Sequence, residues 1–211
     1  MKRIRPLGVL ILAGALISFS VLGVGIYKLW NIDHTIDSGV KEFYTLLDSA
    51  SLPTLATGED TEANAGVHVS NQVPGTQLIV DGLPALGVLT FDKQQRSVVV
   101  YDGTTVNMLA KGAGHADGTA ALNTIGNAVV HGHRDAAFRS MASLKVGDTV
   151  TVRDTIRTVT YTVTEIFVTS PNDERMYENT DKMEITLVTC YPFVFVGSAP
   201  DRCVIRAVAA S

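Results

Sequence analysis

Cysteine is scarce in this sequence. Only Cys190 and Cys203 occur in 211 residues, whereas a small exported domain held together by disulfide bonds carries several pairs. The two also make a poor pair: neighbouring residues of a strand point to opposite faces, so Cys203 points away from any site that Arg202 faces. The sequence therefore excludes a disulfide scaffold, and we interpret Cys203 as a small buried hydrophobe.

Basic residues are sparse beyond the N-terminus. The first 30 residues carry four lysines and arginines and no acid, but residues 31–72 carry seven acids and one lysine. Proteins that bind nucleic acid need a basic surface to meet the phosphates, and no segment after residue 30 supplies one. A nucleic-acid partner is therefore not expected.

Ligand patterns for a metal or a cofactor are lacking. His131 and His133 have no carboxylate nearby at the spacing of a metal site. The acidic pair Asp173–Glu174 and the run Glu178–Asp181 are of a kind too common in proteins to predict bound calcium. We expect no metal site and no cofactor.

One long uncharged stretch is present, from Leu7 to Tyr27. Its 21 residues are enough to cross the hydrocarbon layer of a membrane as a helix, and the basic residues before it place the N-terminus in the cytoplasm. A cleaved signal peptide has a shorter apolar core and a small-x-small cleavage site, which residues 25–30 do not contain. We predict a retained single-pass anchor in residues 1–30, in the cell membrane, and an extracytoplasmic domain after it.

Residues 31–72 separate this anchor from the folded domain. Apolar residues recur at helical spacing up to Ser51, at Ile32, Ile36, Val40, Phe43, Leu46 and Leu47. This spacing predicts a juxtamembrane helix that lifts the domain off the membrane. Residues 52–71 are small, polar and acidic, as is typical of a flexible linker. The domain is expected to cover residues 73–211.

This domain is predicted to be mainly β. Short β-branched or alternating runs occur at residues 78–80, 86–91, 97–101, 128–131, 149–153, 159–167, 185–189 and 203–208. Helices are expected at Val106–Lys111 and at Ala136–Leu144, where Asp135 is placed to cap the second helix. Many short strands with few helices indicate an antiparallel barrel or sandwich.

Cys190 ends one of these runs, just before Pro192 stops the strand. A thiol becomes a good nucleophile only beside a histidine or a cation. The run that ends in His131-Gly132-His133-Arg134 supplies imidazoles, and Arg202 follows Cys190 by twelve residues. A thiol, an imidazole and a guanidinium at strand ends suit an acyl-transfer site.

These residues resemble the sortases, the cysteine transpeptidases that attach proteins to bacterial surfaces. The resemblance rests on Thr-Leu-Val-Thr-Cys at Thr186–Cys190, on Arg202, and on Gly-His-Arg-Asp at Gly132–Asp135. It covers Val73 to Ala209, and the segment after Cys190 is most similar to class D. The resemblance implies an eight-stranded β-barrel with short helices, preceded by one N-terminal transmembrane helix.

The resemblance also implies roles for the site residues. Cys190 is the expected nucleophile, His133 the expected acid and base because it directly precedes Arg134, and Arg202 the expected partner of the substrate and the oxyanion. Thr189, His131 and His115 are the further candidates, for binding the substrate. A groove or strand-end position is the alternative for His131, and a solvated loop position is the alternative for His115.

The function implied by the resemblance is transpeptidation at the cell surface. Cys190 would attack an LPxT-type sorting signal of a surface protein, form a thioacyl enzyme, and pass the protein to an amine acceptor such as cell-wall peptide. Two alternatives stay open: a cysteine endopeptidase that uses water as acceptor, and a non-catalytic surface barrel that binds peptides. The complete set of Cys190, His133 and Arg202 favours an enzyme over the second alternative.

Overall fold

The computed structural model describes residues 6–51 and 78–210, and of residues 6–21, 29 and 51 it describes the backbone alone. Two compact units are distinguished, one that reaches Thr35 and one that begins at Ile36. The predicted linker, residues 52–72, and the predicted domain start at Val73 lie outside the described residues. The fold is therefore described from helix α1 and from residue 78 onward.

Helix α1 spans Pro6–Ser51 without a break, so the segment predicted as an anchor and the predicted juxtamembrane helix belong to one helix. No helix within the described residues is long and apolar enough to span a membrane. The predicted span from Leu7 to Tyr27 is thus not shown and stays a prediction. Most of its side chains lie outside the described residues.

Within the described ranges the second unit forms nine strands and one further helix. The strands are β1 (Leu78–Val80), β2 (Leu83–Phe91), β3 (Arg96–Asp102), β4 (Ala113–His115), β5 (Gly126–Gly132), β6 (Thr149–Asp154), β7 (Thr158–Thr169), β8 (Met183–Tyr191) and β9 (Asp201–Ala209), and helix α2 is Val106–Lys111. Short 3-10 helices occur at Asp92–Gln94, Arg139–Ser143 and Glu174–Tyr177. The mainly β prediction is confirmed.

Eight of these strands close into a barrel. Their order is β2-β3-β4-β5-β8-β9-β7-β6, and β6 pairs back onto β2. The pairs β3–β4 and β5–β8 are parallel, and the others are antiparallel. Strand β1 pairs with β2 outside this ring. The eight-stranded barrel that the resemblance implies is confirmed.

Strand β4 was not expected from the sequence, because Gly112, just before it, and Gly114, within it, suggest a loop. A Cβ on Gly114 would lie 2.3 Å from the carbonyl oxygen of Gly103, and one on Gly112 would lie 2.5 Å from that of Val99. Glycine is needed at both positions because neighbouring backbone comes too close for any side chain. His115, placed in a glycine-rich loop by the sequence, is the last residue of this strand.

The two predicted short helices differ in outcome. Helix α2 has the predicted bounds, and the hydroxyl of Thr105 at its N-cap accepts a hydrogen bond from the Met108 N–H. The predicted helix over Ala136–Leu144 is wrong: turns run to Phe138, and a 3-10 helix follows at Arg139–Ser143. Phe138, not Asp135, occupies the N-cap position of that 3-10 helix, so the capping role expected for Asp135 is wrong.

The C-terminal part of α1 is packed against the barrel. Phe43 and Leu47 are buried in one apolar cluster with residues of β1, β2, β3 and α2, namely Val80, Ala85, Val88, Val99, Tyr101 and Met108. The carboxylate of Glu42 also accepts a hydrogen bond from the Asp81 N–H at 3.0 Å. Residues from Ile36 onward therefore belong to the compact unit of the barrel, where the sequence analysis grouped them with the linker.

We expect Phe43→Ala to lower the free energy of unfolding by about 3–5 kcal/mol, because Phe43 is fully buried and its removal leaves a cavity. The matched control is Tyr44→Ala, since Tyr44 is 39% exposed and its loss should cost about 1 kcal/mol or less. Urea denaturation measures both. A loss for Phe43→Ala as small as the loss for Tyr44→Ala would show that the helix is not part of the folded core.

Candidate active site

The ends of three strands surround a cavity of about 170 Å³. Its lining residues come from the end of β5, the end of β8, the start of β9 and helix α2, and they are Leu109, His131, Gly132, His133, Val188, Thr189, Cys190 and Arg202. The cavity thus contains all three predicted catalytic residues and two of the three predicted substrate-binding residues.

Cys190 and Arg202 are direct cross-strand neighbours. They face each other in the antiparallel register of β8 and β9, so their side chains share one face of the sheet. Cys190 is half-buried. The Nη1 of Arg202 donates to the carbonyl oxygens of Asp201 at 2.9 Å and Ala199 at 3.5 Å, and a guanidinium has five N–H donors. Donors on Arg202 therefore remain for a ligand in the cavity.

Two histidines reach the cavity from the end of β5. His133 follows the last residue of the strand and is exposed, whereas His131 lies within the strand and is half-buried. Burial lowers the pKa of His131, and the nearby charge of Arg202 lowers it further. His131 is therefore neutral at neutral pH, and its Nε2 lies 3.2 Å from the hydroxyl of Tyr177.

Gly132, between the two histidines, packs closely against the ring of Phe138. A Cβ at this position would lie 2.6–2.8 Å from ring atoms of Phe138, whose side chain is fully buried. The carbonyl of His133 accepts hydrogen bonds from the N–H groups of Ala136 and Phe138. The turn after β5 is thus closed tightly against its own strand, and His133 lies where this turn begins.

Thr189 connects this turn to the cysteine strand. Its hydroxyl donates to the carbonyl of Gly132 at 2.6 Å, and the side chain is 2% exposed. A hydroxyl has one proton to donate, so this proton is not free for a substrate or an oxyanion. Thr189 lines the cavity, and its side chain holds the β5 and β8 ends together. Substrate binding at Thr189 stays a prediction.

His115 is the predicted site residue that does not line the cavity. It is 8% exposed, and its Nε2 is within hydrogen-bond distance of the Ala120 carbonyl at 2.8 Å and the Thr119 hydroxyl at 3.0 Å. These partners satisfy the Nε2 of the buried ring. Neither substrate binding nor a solvated loop position, the two roles considered for His115, fits this environment.

Cys203 is 4% exposed, and burial raises the pKa of its thiol to about 11. Because only the thiolate is a strong nucleophile, this cysteine is inert near neutral pH. The interpretation of Cys203 as a buried hydrophobe is confirmed.

Arg134 has a structural role at the cavity rim. Its Nη2 donates to the carbonyl oxygens of Phe195 at 2.9 Å and Gly197 at 3.2 Å, and its guanidinium lies 6.0 Å from the centre of the Phe195 ring. The residue after His133 therefore holds the loop between β8 and β9. No sequence pattern indicates contacts between residues 61 and 63 positions apart.

No group of three or more His, Cys, Asp or Glu side chains that could hold a metal ion is found among residues 6–51 and 78–210. Asp173, considered above for calcium, is paired with Arg175 at 2.6 Å and accepts a hydrogen bond from Thr169. The Arg175 side chain holds the pKa of Asp173 well below its usual range.

Comparison with known proteins gives a consistent result. Residues 89–210 match the family model of the Sortase domain. Sortase D of Bacillus subtilis (strain 168) is 30% identical over 209 residues, which cover 97% of each chain. A solved structure described as a Clostridium perfringens Sortase D5 transpeptidase is 28% identical, with a TM-score of 0.55 over 60% of this chain and 79% of that one. Sortase A of Listeria monocytogenes shares the fold, with 23% identity and a TM-score of 0.54 over 60% of this chain and 88% of that one.

Gly132→Ala should lower the free energy of unfolding by about 1–3 kcal/mol, because the added methyl group overpacks the Phe138 ring. Urea denaturation measures the loss. The control is the same substitution in a Phe138→Ala background, which lacks the Cγ and Cδ atoms that the methyl group would meet, so the added loss should largely disappear. A loss of the same size in both backgrounds would contradict the close contact.

Proposed function

This chain belongs to the sortase family, and from that premise we propose that it cleaves an LPxT-type sorting signal through a Cys190 thioacyl intermediate. The carboxyl fragment of the signal leaves, and the protein is transferred to an amine acceptor on the cell surface, such as cell-wall peptide. The observation that supports this proposal most directly is the shared cavity of Cys190, His133 and Arg202.

Cys190 is the proposed nucleophile. Its sulfur attacks the carbonyl carbon of the threonine in the signal, and the resulting tetrahedral intermediate carries an oxyanion. Collapse of this intermediate breaks the peptide bond after threonine and leaves a thioester on Cys190. The position at the end of β8 supports this role, since the thiol is half-buried yet borders an open cavity.

His133 is the proposed acid and base. It protonates the departing amine, and then takes a proton from the incoming amine that attacks the thioester. Its position at the start of the turn after β5 supports this role, because the side chain is exposed and borders the same cavity as the thiol. An exposed imidazole can exchange its proton with solvent between the two half-reactions.

Arg202 is the proposed electrostatic partner. A planar guanidinium keeps its charge at any physiological pH and can donate to an oxyanion or to the substrate backbone. Its position opposite Cys190 in the register of β8 and β9 supports this role. Two backbone carbonyls already hold one of its nitrogens, so its orientation costs little when a substrate binds.

The acceptor separates this proposal from its nearest alternative, a cysteine endopeptidase in which water attacks the thioester.

Membrane attachment through Leu7–Tyr27 is part of the same proposal, because an anchored enzyme meets its surface-protein substrates as they are exported. A non-catalytic peptide-binding barrel, the second alternative, has no need of a nucleophile beside a histidine.

The proposal is tested by incubating the full chain with a library of LPxTx peptides and candidate amines, and by identifying the products by mass spectrometry. We expect peptide–amine conjugates to exceed hydrolysed peptide when a suitable amine is present. Hydrolysed peptide alone with every amine would favour the endopeptidase, and no cleavage of any peptide would favour the binding barrel.

Cys190→Ala should abolish peptide cleavage, because no other described thiol borders the cavity. The matched control is Cys203→Ala, which removes the buried thiol on the opposite face of the sheet and should retain most activity. Cleavage rates of the two variants at equal protein concentration measure this difference. A comparable loss of cleavage rate in both variants would contradict the assignment of Cys190 as the nucleophile.

His133→Ala should lower kcat/KM by about 10²–10⁴, the usual contribution of general acid–base catalysis, and lost activation of the thiol should add to this effect. His131→Ala should cost far less, because His131 is half-buried and bonded to Tyr177. Steady-state kinetics on one peptide compares them. If the two variants exchange ranks, the acid–base role belongs to His131.

A further inference from the structure

The Glu174–Tyr177 3-10 helix packs along one face of strand β5. Asn127, Val129 and His131 alternate along the strand and therefore point to the same side. Each of the three contacts the segment that contains this helix. His131, which contacts Tyr177, also lines the Cys190 cavity.

Asn127 fixes the backbone on both sides of Tyr177. Its buried side-chain amide donates to the carbonyls of Met176 at 3.2 Å and Glu178 at 3.0 Å, and its own amide oxygen accepts from the Thr186 hydroxyl at 2.7 Å. Every hydrogen-bonding atom of this side chain is thus used, which makes the contact well defined. The carbonyl groups of the residues before and after Tyr177 are therefore held in place.

Met176 ties the same segment to the core. Its side chain is 1% exposed and packs with Ala116, Val129, Val188 and Val204. Arg206 on β9 adds a hydrogen bond from its Nη2 to the Arg175 carbonyl at 2.5 Å. The backbone around Tyr177 is therefore ordered before any ligand arrives, although the Tyr177 side chain is itself 46% exposed.

The exposed Tyr177 ring contacts His131. The Tyr177 hydroxyl lies 3.2 Å from the His131 Nε2, and the two rings are stacked with an angle of 27° between their planes. Burial and the charge of Arg202 lower the pKa of His131. The imidazole is consequently a neutral partner that can donate to the phenol or accept from it.

We propose that His131 is a positioning residue that holds Tyr177 at the rim of the Cys190 cavity, and that Tyr177 sets the affinity for the peptide substrate there. This inference rests on the proposed function. A side chain that is already oriented loses less conformational entropy when it contacts a peptide, so loss of the bond weakens peptide binding without affecting the chemical step. His131 acts through Tyr177 and is not a catalytic residue.

A double-mutant cycle tests this coupling. Tyr177→Phe and His131→Ala each remove the same hydrogen bond, so each should raise KM for an LPxT peptide about three- to tenfold, the usual effect of one hydrogen bond, and change kcat less than about twofold. The double variant should be no worse than the more severe single variant, because coupled residues are not additive. His131→Gln, which restores a hydrogen-bonding group at a similar distance, should recover most of the affinity lost in His131→Ala.

Two outcomes of the double-mutant cycle would overturn the inference. One is a double variant whose KM rises by the product of the single effects, because His131 and Tyr177 would then act independently. The other is a loss confined to kcat, which would place His131 in the chemical step. A purely structural role would lower stability in urea without the split between KM and kcat.

Peptide binding to Cys190→Ala protein separates this inference from the proposed function. If Cys190→Ala protein binds the peptide and the cycle is non-additive in Kd, but Cys190-containing protein does not turn the peptide over, the proposed function fails and the inference stands. If turnover occurs and the cycle is additive in both KM and Kd, the inference fails alone. Cys190→Ala protein that binds no LPxT peptide at all would also overturn the inference.

Discussion

The site depends on the close packing of the β5 end against the turn that follows it. Gly132 lies so near the Phe138 ring that a larger residue would force the ring to shift, and the Thr189 hydroxyl donates to the Gly132 carbonyl across to β8. One glycine therefore joins the histidine-bearing backbone to the cysteine-bearing strand. The register of β8 with β9 then brings Arg202 opposite Cys190, so three distant segments share one cavity.

Support for the cavity extends beyond the three strand ends. Leu109 on helix α2 forms part of the cavity wall, while Met108, its neighbour, packs in the cluster that buries Phe43 of helix α1. Arg134 holds the β8–β9 loop, and Asn127 holds the segment around Tyr177. The Cys190 cavity is thus surrounded by elements that are each fixed by buried side chains or by satisfied hydrogen bonds.

Patterns that are local in sequence predicted most of this architecture. Alternating and β-branched runs identified every strand except β4, and strand alternation placed Cys203 on the face opposite the site. Features that depend on distant partners could not be predicted. Gly112 and Gly114 suggest a loop until the backbone of Val99 and Gly103 is known to approach them. Nothing near His131 indicates Tyr177, 46 residues away. Asp135 suggested a helix cap, but tight closure at Gly132 produces a turn instead.

The central claim is that Cys190 carries an acyl group during the reaction. The most direct measurement is the intact mass of the full chain, quenched rapidly in acid after mixing with an LPxT peptide and no added amine, followed by peptide mapping. The account predicts a mass increase equal to the amino-terminal fragment through threonine, located on Cys190 and removed by hydroxylamine. Peptide cleavage that proceeds without any adduct, or an adduct located on Cys203, would contradict it.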